Sequence, residues 1–388
     1  MNKKEIAEIK KQYTQERCPI SRICGCYVDG EKNKKTQFRE AFLSLPEEEF
    51  FKYLNIFRKA ISGTIGKNLL NMEFPLETEK EDGTQALLMK LKYSGLQDDG
   101  ILEEFYEPIT FYTRYRNLEE FYDRIIDSYY YAGNYLILLM YAVYDIPGKA
   151  SDNQEMFDAS DEVYEHIMCC ICPVNLAKPC LSYNEKENCF SSRTQDWLVE
   201  MPLIGFLFPA FHDRSADIHS ILYYNQKPEV PCSDFVDSVL GCVLPLTAGS
   251  QKETFQVLVE ETLGDACDYE TVRTIHENLN EMIEEQKEEP APLVLGRQEV
   301  KRLFEQSGVA EEKMSQFDDR FEEAAGEQTS FVAANVANTR KFEIKTKDII
   351  VQVNPARSDL VETTVIDGRK CLVIELTDEV EVNGIPVK

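Results

Sequence analysis

Residues Tyr129–Tyr144, YYYAGNYLILLMYAVY, decide how the rest of the chain is read. From Tyr135 to Tyr144 ten consecutive residues are apolar or aromatic, between Gly133–Asn134 and the breaker Asp145–Ile146–Pro147–Gly148. Such a run predicts an element buried on every side, a central strand or a buried helix, and periodicity does not discriminate between them. A membrane span needs about 20 apolar residues, and this run stops well short. It is therefore core, and no membrane association is expected.

The composition around that core bounds the rest. At 388 residues the chain has room for two or three domains. Hydrophobic residues at 43% supply enough apolar surface for real cores, which excludes global disorder. The net charge of −27 disfavours nucleic acid and anionic membrane as partners of the whole surface. That charge is uneven: residues 1–72 hold 14 Lys and Arg against 9 Asp and Glu, a net of +5, so the remainder carries −32. Any contact with nucleic acid is accordingly confined to this basic region 1–72. MNKKEIAEIKKQY is not followed by the apolar stretch of a secretory signal, so a cytoplasmic protein with reduced cysteines is expected.

On the N-terminal side of the run, Ile6, Ile9 and Tyr13 share one face of a short helix, and ISRICGCYV (20–28) reads as a strand. A helix begins at Pro46, with Glu47–Glu49 in its first turn and Phe50, Tyr53, Leu54, Phe57 and Ile61 on its apolar face. LEEFYEPI (102–109) and LEEFYDRI (118–125) are near copies, expected to form similar helical turns. On the C-terminal side, Ser160–Asp161–Glu162 predicts the cap of a helix running to Cys172 and stopped by Pro173. Further helices are expected near 252–263 and 269–286, the second capped by Asp268. EEQKEEPAP (284–292) reads as a linker, dividing a main domain 1–285 from a C-terminal module 293–388. Within that module two helices stop at Gly308 and Gly326. VETTVI–DG–RKCLVIEL then predicts a β-hairpin, and Asn383–Gly384 a second tight turn. The fold class expected is α+β.

ICGCYVDGEK, SGTIGKNLLNMEFP, GNYLILL, YDIPGKASDN, ICPVNLAKP, GFLFPAFHDRS and VETTVIDGRKCLVIEL together resemble the bacterial family known as domain-of-unknown-function family 4317. The resemblance spans nearly the whole chain. It implies a bacterial cytoplasmic protein and carries no activity, cofactor or catalytic residues with it.

Three groups of residues have chemistry worth weighing. Ser62–Asn68, with Gly63, Gly66 and Lys67, has the glycines and lysine of a phosphate-binding loop. It lacks the four-residue spacing and the preceding strand that such a loop requires. A helix–GxxG–helix order would suit clamping of RNA backbone phosphates, while a helix stop and tight turn is the simpler account. Cys24 and Cys26, with Cys170 and Cys172 from the cluster Cys169–Cys172, are an alternative zinc set with non-standard spacing; otherwise these are small buried hydrophobes and no metal is implied. Cysteines closing a helix would also face the negative end of its dipole, which opposes a reactive thiolate. Finally, His212, Asp213, Arg214 and Asp217 follow the apolar GFLFPAF. They offer a base, a hard ligand and an anion-binding cation beside a desolvated wall. A polar turn tying down the chain is the simpler account there. No cofactor is implied. The sequence points to a protein acting through unidentified protein partners, with an enzyme, or a phosphate-ligand or nucleic-acid binder, using 211–219 or 62–68 as the alternative.

Overall fold

The computed structural model describes residues 1–75, 83–95, 111–149, 155–192, 195–326, 329–376, 380–382 and 384–387. Two compact units divide the chain, Met1–Pro245 and Leu246–Lys388. The boundary expected at 284–292 is placed elsewhere. Phe255, Leu258, Ile275 and Leu279, before that stretch, share one core with Leu295, Val300, Leu303 and Phe304 after it. Local charge and a proline mark a solvated turn there, and the packing runs across it.

The first unit opens with α1 (Lys3–Gln12), β1 (Ile20–Val28), β2 (Lys34–Ala41), α2 (Glu47–Ala60) and β3 (Leu69–Glu73), followed by α3 (Thr84–Lys90) and α4 (Phe111–Ser128). The decisive run then forms β4 (Asn134–Lys149), and β5 (Glu155–Leu176) returns beside it. Next come β6 (Leu181–Asn184), β7 (Cys189–Ser192), β8 (Trp197–Val199), β9 (Ile204–Phe208), β10 (Ala210–His212), β11 (Ser215–Asp217), β12 (Ser220–Asn225) and a short α5 (Ser233–Phe235). An antiparallel sheet of order β2-β1-β4-β5-β9-β12-β3 runs through the unit, with β8 added to the end of β5.

Helices cover both faces of this sheet. Ile6 and Ile9 of α1 and Leu54 and Phe57 of α2 pack with Leu138, Met140, Met168 and Cys170 on one side. Leu87 and Leu88 of α3, Phe121 and Ile125 of α4 and Phe235 pack with Ile137, Leu139, Ile167 and Cys169 on the other. A strand buried on both faces has no polar positions to alternate with, so its sequence reads as continuous apolar residues. This is why β4 gave no periodicity. It also explains the one element whose type the sequence misassigned: residues 160–172, expected as a helix, belong to β5. Tyr164, Ile167, Met168 and Ile171 fit helical spacing because both faces of the strand are filled there, while Val163 is exposed. Close packing leaves Gly205 no room for a side chain, since a Cβ there would lie 2.6 Å from the Cys169 carbonyl oxygen.

The second unit contains α6 (Ala248–Leu263), α7 (Tyr269–Glu285), β13 (Val294–Leu295), α8 (Arg297–Gln306), α9 (Glu311–Met314), α10 (Phe317–Ala325), β14 (Phe331–Val332) and α11 (Ala333–Val336). Asp268 caps α7 by accepting from the Thr271 amide at 2.8 Å, as its place before the apolar face predicts. The pairs β15 (Phe342–Lys345) with β16 (Ile350–Val353), β17 (Val361–Ile366) with β18 (Arg369–Ile374), and β19 (Val380–Val382) with β20 (Ile385–Val387) follow. Asp367 and Gly368 have φ of 50° and 74°, the left-handed pair that the Asp–Gly turn predicts. Helix and strand contribute comparably and the large sheet is antiparallel, so the fold is α+β. None of the described helices is long and apolar enough to cross a membrane. The repeat copy at 102–109 and Asn383 lie outside the described residues.

Candidate functional site

The segment from His212 to Asp217 is a two-residue hairpin. Asp213 and Arg214, at φ 46° and 62°, form the turn between β10 and β11, and His212 pairs with Ser215. Asp is among the few residues that take the left-handed region at modest cost. The turn lies against α1, whose capping box places Glu5 beneath it: Asn2 accepts from the Glu5 amide, and Glu5 Oε2 accepts from the Asn2 amide at 2.6 Å. The other oxygen, Oε1, accepts from the Asp213 amide at 3.1 Å and lies 3.3 Å from His212 Nδ1. On its other side the His212 ring has Nε2 3.6 Å from Asp213 Oδ2.

Glu5, His212 and Asp213 therefore converge, with one donor atom from each within 4.8 Å of the others. Both Glu5 oxygens already serve backbone amides, and the Asp213 side chain is 89% exposed. Arg214 turns away from the group. Its guanidinium donates to Glu8 Oε1 at 3.2 Å and to the Pro147 carbonyl at 2.6 Å. Asp217 stands apart too, accepting from the His219 amide at 3.0 Å. Sequence reasoning missed Glu5, although the Asn–x–x–Glu spacing of residues 2–5 was the signal for it.

Beside the hairpin lies a cleft of about 580 Å³, bordered by Lys4, Glu8, Lys11, Arg17, Tyr144 and Asp145. It brings cations of the basic N-terminal region to one place. Glu8 divides them, accepting also from the Tyr144 hydroxyl at 3.1 Å. Under the hairpin the packing is closed. Phe211 meets the Tyr164 ring at 4.8 Å, Tyr164 stacks on His166 at 4.4 Å, and the Tyr164 hydroxyl donates to the Pro209 carbonyl. His166 is fully buried with Nε2 2.7 Å from the Tyr13 hydroxyl, and burial lowers its pKa to about 3.

The glycine loop joins α2 to β3, so a strand follows it where a phosphate loop or an RNA-clamping GxxG needs a helix. Three of its amides are consumed internally: Gly66 donates to the Leu69 carbonyl, and Lys67 and Asn68 donate to that of Thr64. Gly63 and Gly66 supply positive φ, a turn requirement. The four cysteines do not meet. Cys24 and Cys26 point into one face of the sheet and Cys170 and Cys172 into the other. A single ion cannot reach both pairs. Burial pushes the Cys24 and Cys26 thiols up to about 11, and the strand assignment of Cys169–Cys172 replaces the helix-dipole argument with desolvation as what suppresses the thiolate.

A different region is left uncovered. Between Leu176 and Met201 the side chains of Leu181, Tyr183, Phe190, Trp197, Leu198 and Val199 are exposed, Phe190 by 73% and Trp197 by 56%. Tyr183 and Phe190 sit side by side on the β6–β7 hairpin, ring centroids 5.3 Å apart. β8 pairs with β5 along one edge, Leu176 opposite Trp197 and Val174 opposite Val199. Its other edge has no strand partner among the described residues.

The family model described as a domain of unknown function, DUF4317, matches residues 1–117 and 112–385 of the chain. No curated protein and no solved structure matches it.

Proposed function

The chain belongs to the DUF4317 family, and from its geometry we propose that it works by docking a protein partner on the segment Leu176–Met201. The observation that carries this is the joining of exposed aromatic and aliphatic side chains to an open strand edge at β8. Soluble proteins avoid such edges because unpaired amides and carbonyls template further pairing. A partner strand added to β8 would satisfy them, while Trp197, Phe190 and Tyr183 supply the aromatic anchors common at binding hot spots. Charge does not oppose contact. Residues 176–201 hold three cations and four acids, nearly neutral within a chain of −27. In this proposal the protein is a bacterial, cytoplasmic, non-enzymatic adaptor.

The test uses the full chain with a photo-crosslinking residue at position 190, expressed in its native cytoplasm, beside a control carrying the same residue at Lys227. Expected is a discrete adduct from position 190 only, abolished when Leu181 and Trp197 are both replaced by serine. Trp197 is the chain's single tryptophan. Its emission should shift to the blue when the identified partner is added to the purified protein. An adduct with a second copy of the chain would identify self-association instead. Equal labelling at both positions, or none at 190, would overturn the proposal.

A further inference from the structure

The second unit contains a cleft of about 700 Å³, within the range of small-molecule sites. One wall is a single face of α7, where Val272, His276 and Asn280 recur every fourth residue. The facing wall comes from the stretch after α11 and from β15, and includes Lys341, Phe342 and Lys345; Lys252 of α6 closes the rim. Phe342 lies between the rings of Tyr269 and His276, with centroid separations of 6.3 and 6.5 Å.

The charge here runs against its surroundings. Residues 246–388 hold 16 Lys and Arg against 30 Asp and Glu, yet RKFEIKTK (340–347) carries four cations and one acid. The two acids on the cleft walls are already committed. Asp268 caps α7 through the Thr271 amide, and Glu343 accepts from Lys341 at 2.9 Å and Gln352 at 2.7 Å. Lys252 and Lys345 hold no ion pair among the described residues. Burial, and secondarily Lys252, lowers the pKa of His276, which leaves it a neutral imidazole able to donate or accept.

We propose that this cleft binds a phosphorylated small molecule, with Lys252 and Lys345 supplying charge for the phosphate and Phe342 lying under the uncharged part of the ligand. Ammonium groups outside any ion pair supply charge without fixed geometry, as phosphate binding by lysine requires. The half-buried Phe342 provides the apolar surface on which the uncharged part of the ligand rests.

Calorimetric titration of the full chain at low salt with pyrophosphate, with AMP and with adenosine tests this. AMP is expected to bind more tightly than pyrophosphate, and adenosine more weakly than AMP by about tenfold or more. The double variant Lys252→Ala/Lys345→Ala should lose about tenfold in affinity for both anions, while Lys287→Ala, outside the cleft, binds as wild type. Thermal melts establish that each variant folds, and the exposed lysines are expected to leave the midpoint unmoved. Failure of both anions to bind at millimolar concentration would overturn the proposal. So would binding that the double variant retains, or that Lys287→Ala weakens equally.

Discussion

Two hairpins of the first unit differ in what their side chains are used for. The β10–β11 hairpin carries His212, Asp213 and Arg214, which look chemical as a string of letters. In the folded chain Glu5 holds its turn amide, Glu8 and the Pro147 carbonyl hold its arginine, and Phe211 is packed onto Tyr164. The β6–β7 hairpin and its neighbour β8 contain few residues that suggest chemistry, and they expose Leu181, Phe190 and Trp197. Polar groups with internal partners act as ties. Apolar groups without internal partners are the ones with free energy still to gain by contact. The difference between the hairpins is thus one of satisfied and unsatisfied groups.

The largest expected effect lies beneath the tied hairpin. His166 is neutral in the folded protein because burial lowers its pKa to about 3, against 6.5 for the exposed imidazole. A depressed folded pKa means that the unfolded state takes up the proton first. The neutral histidine's stability is therefore intact above pH 6.5 and is lost as pH falls from there toward 3. The slope is about 1.4 kcal/mol per pH unit, so about 3 kcal/mol should disappear between pH 6.5 and 4. Denaturant melts of wild type against His166→Phe across that range isolate the effect from the carboxylates. The variant keeps a ring against Tyr164 and should show the shallower acid limb. Parallel acid limbs would mean that this histidine does not titrate with unfolding.

Next in size is Arg214→Ala. Removing the guanidinium strips a partner from Glu8 and from the Pro147 carbonyl, both partly buried, and should cost about 1–2 kcal/mol. If Arg214 were instead held for a ligand, its removal would leave the melting midpoint unchanged or slightly raised.

The sequence disclosed this fold unevenly, and the pattern has a physical cause. α1, α2, α6 and α7 were legible because each has one wet face, so charge and apolar spacing alternate with the helical period. The Asp367–Gly368 turn was legible because its backbone conformation restricts which residues can occupy it. β5 was not, because burial on both sides erases the period-two signal and leaves chance helical spacing. The divide near Pro245 was hidden for a related reason: the turn at 284–292 is polar because it is solvated, while the core continues past it. Candidate sites were least legible. That Cys24 and Cys170 face opposite ways depends on strand register, and that Arg214 is occupied depends on Glu8, 206 residues away.

A smaller effect separates backbone from side chain at Asp213. Its carboxylate is almost fully exposed, but its φ of 46° is unfavourable for a residue with a Cβ and no local polar group. Asp213→Ala should cost about 0.5–1 kcal/mol, whereas Asp213→Gly should be close to neutral. Equal losses in the two variants would show that the carboxylate itself matters, which would move this hairpin toward the chemical side of the comparison.

The smallest effect on stability is expected at the uncovered hairpin, and its smallness is what gives it meaning. Leu181 and Phe190 are exposed by 72% and 73%, so little of their apolar area leaves water when the chain folds. Replacing both with serine should change stability by no more than about 0.5 kcal/mol, as for surface positions generally. The same replacement should reduce the protein's retention on a hydrophobic matrix, because two large exposed side chains are lost, one of them beside the Tyr183 ring. A loss of stability well beyond that figure would show that the hairpin is packed in solution. Its side chains would then be satisfied within the chain, like those of the β10–β11 hairpin, and no free energy would be left there for a partner to gain.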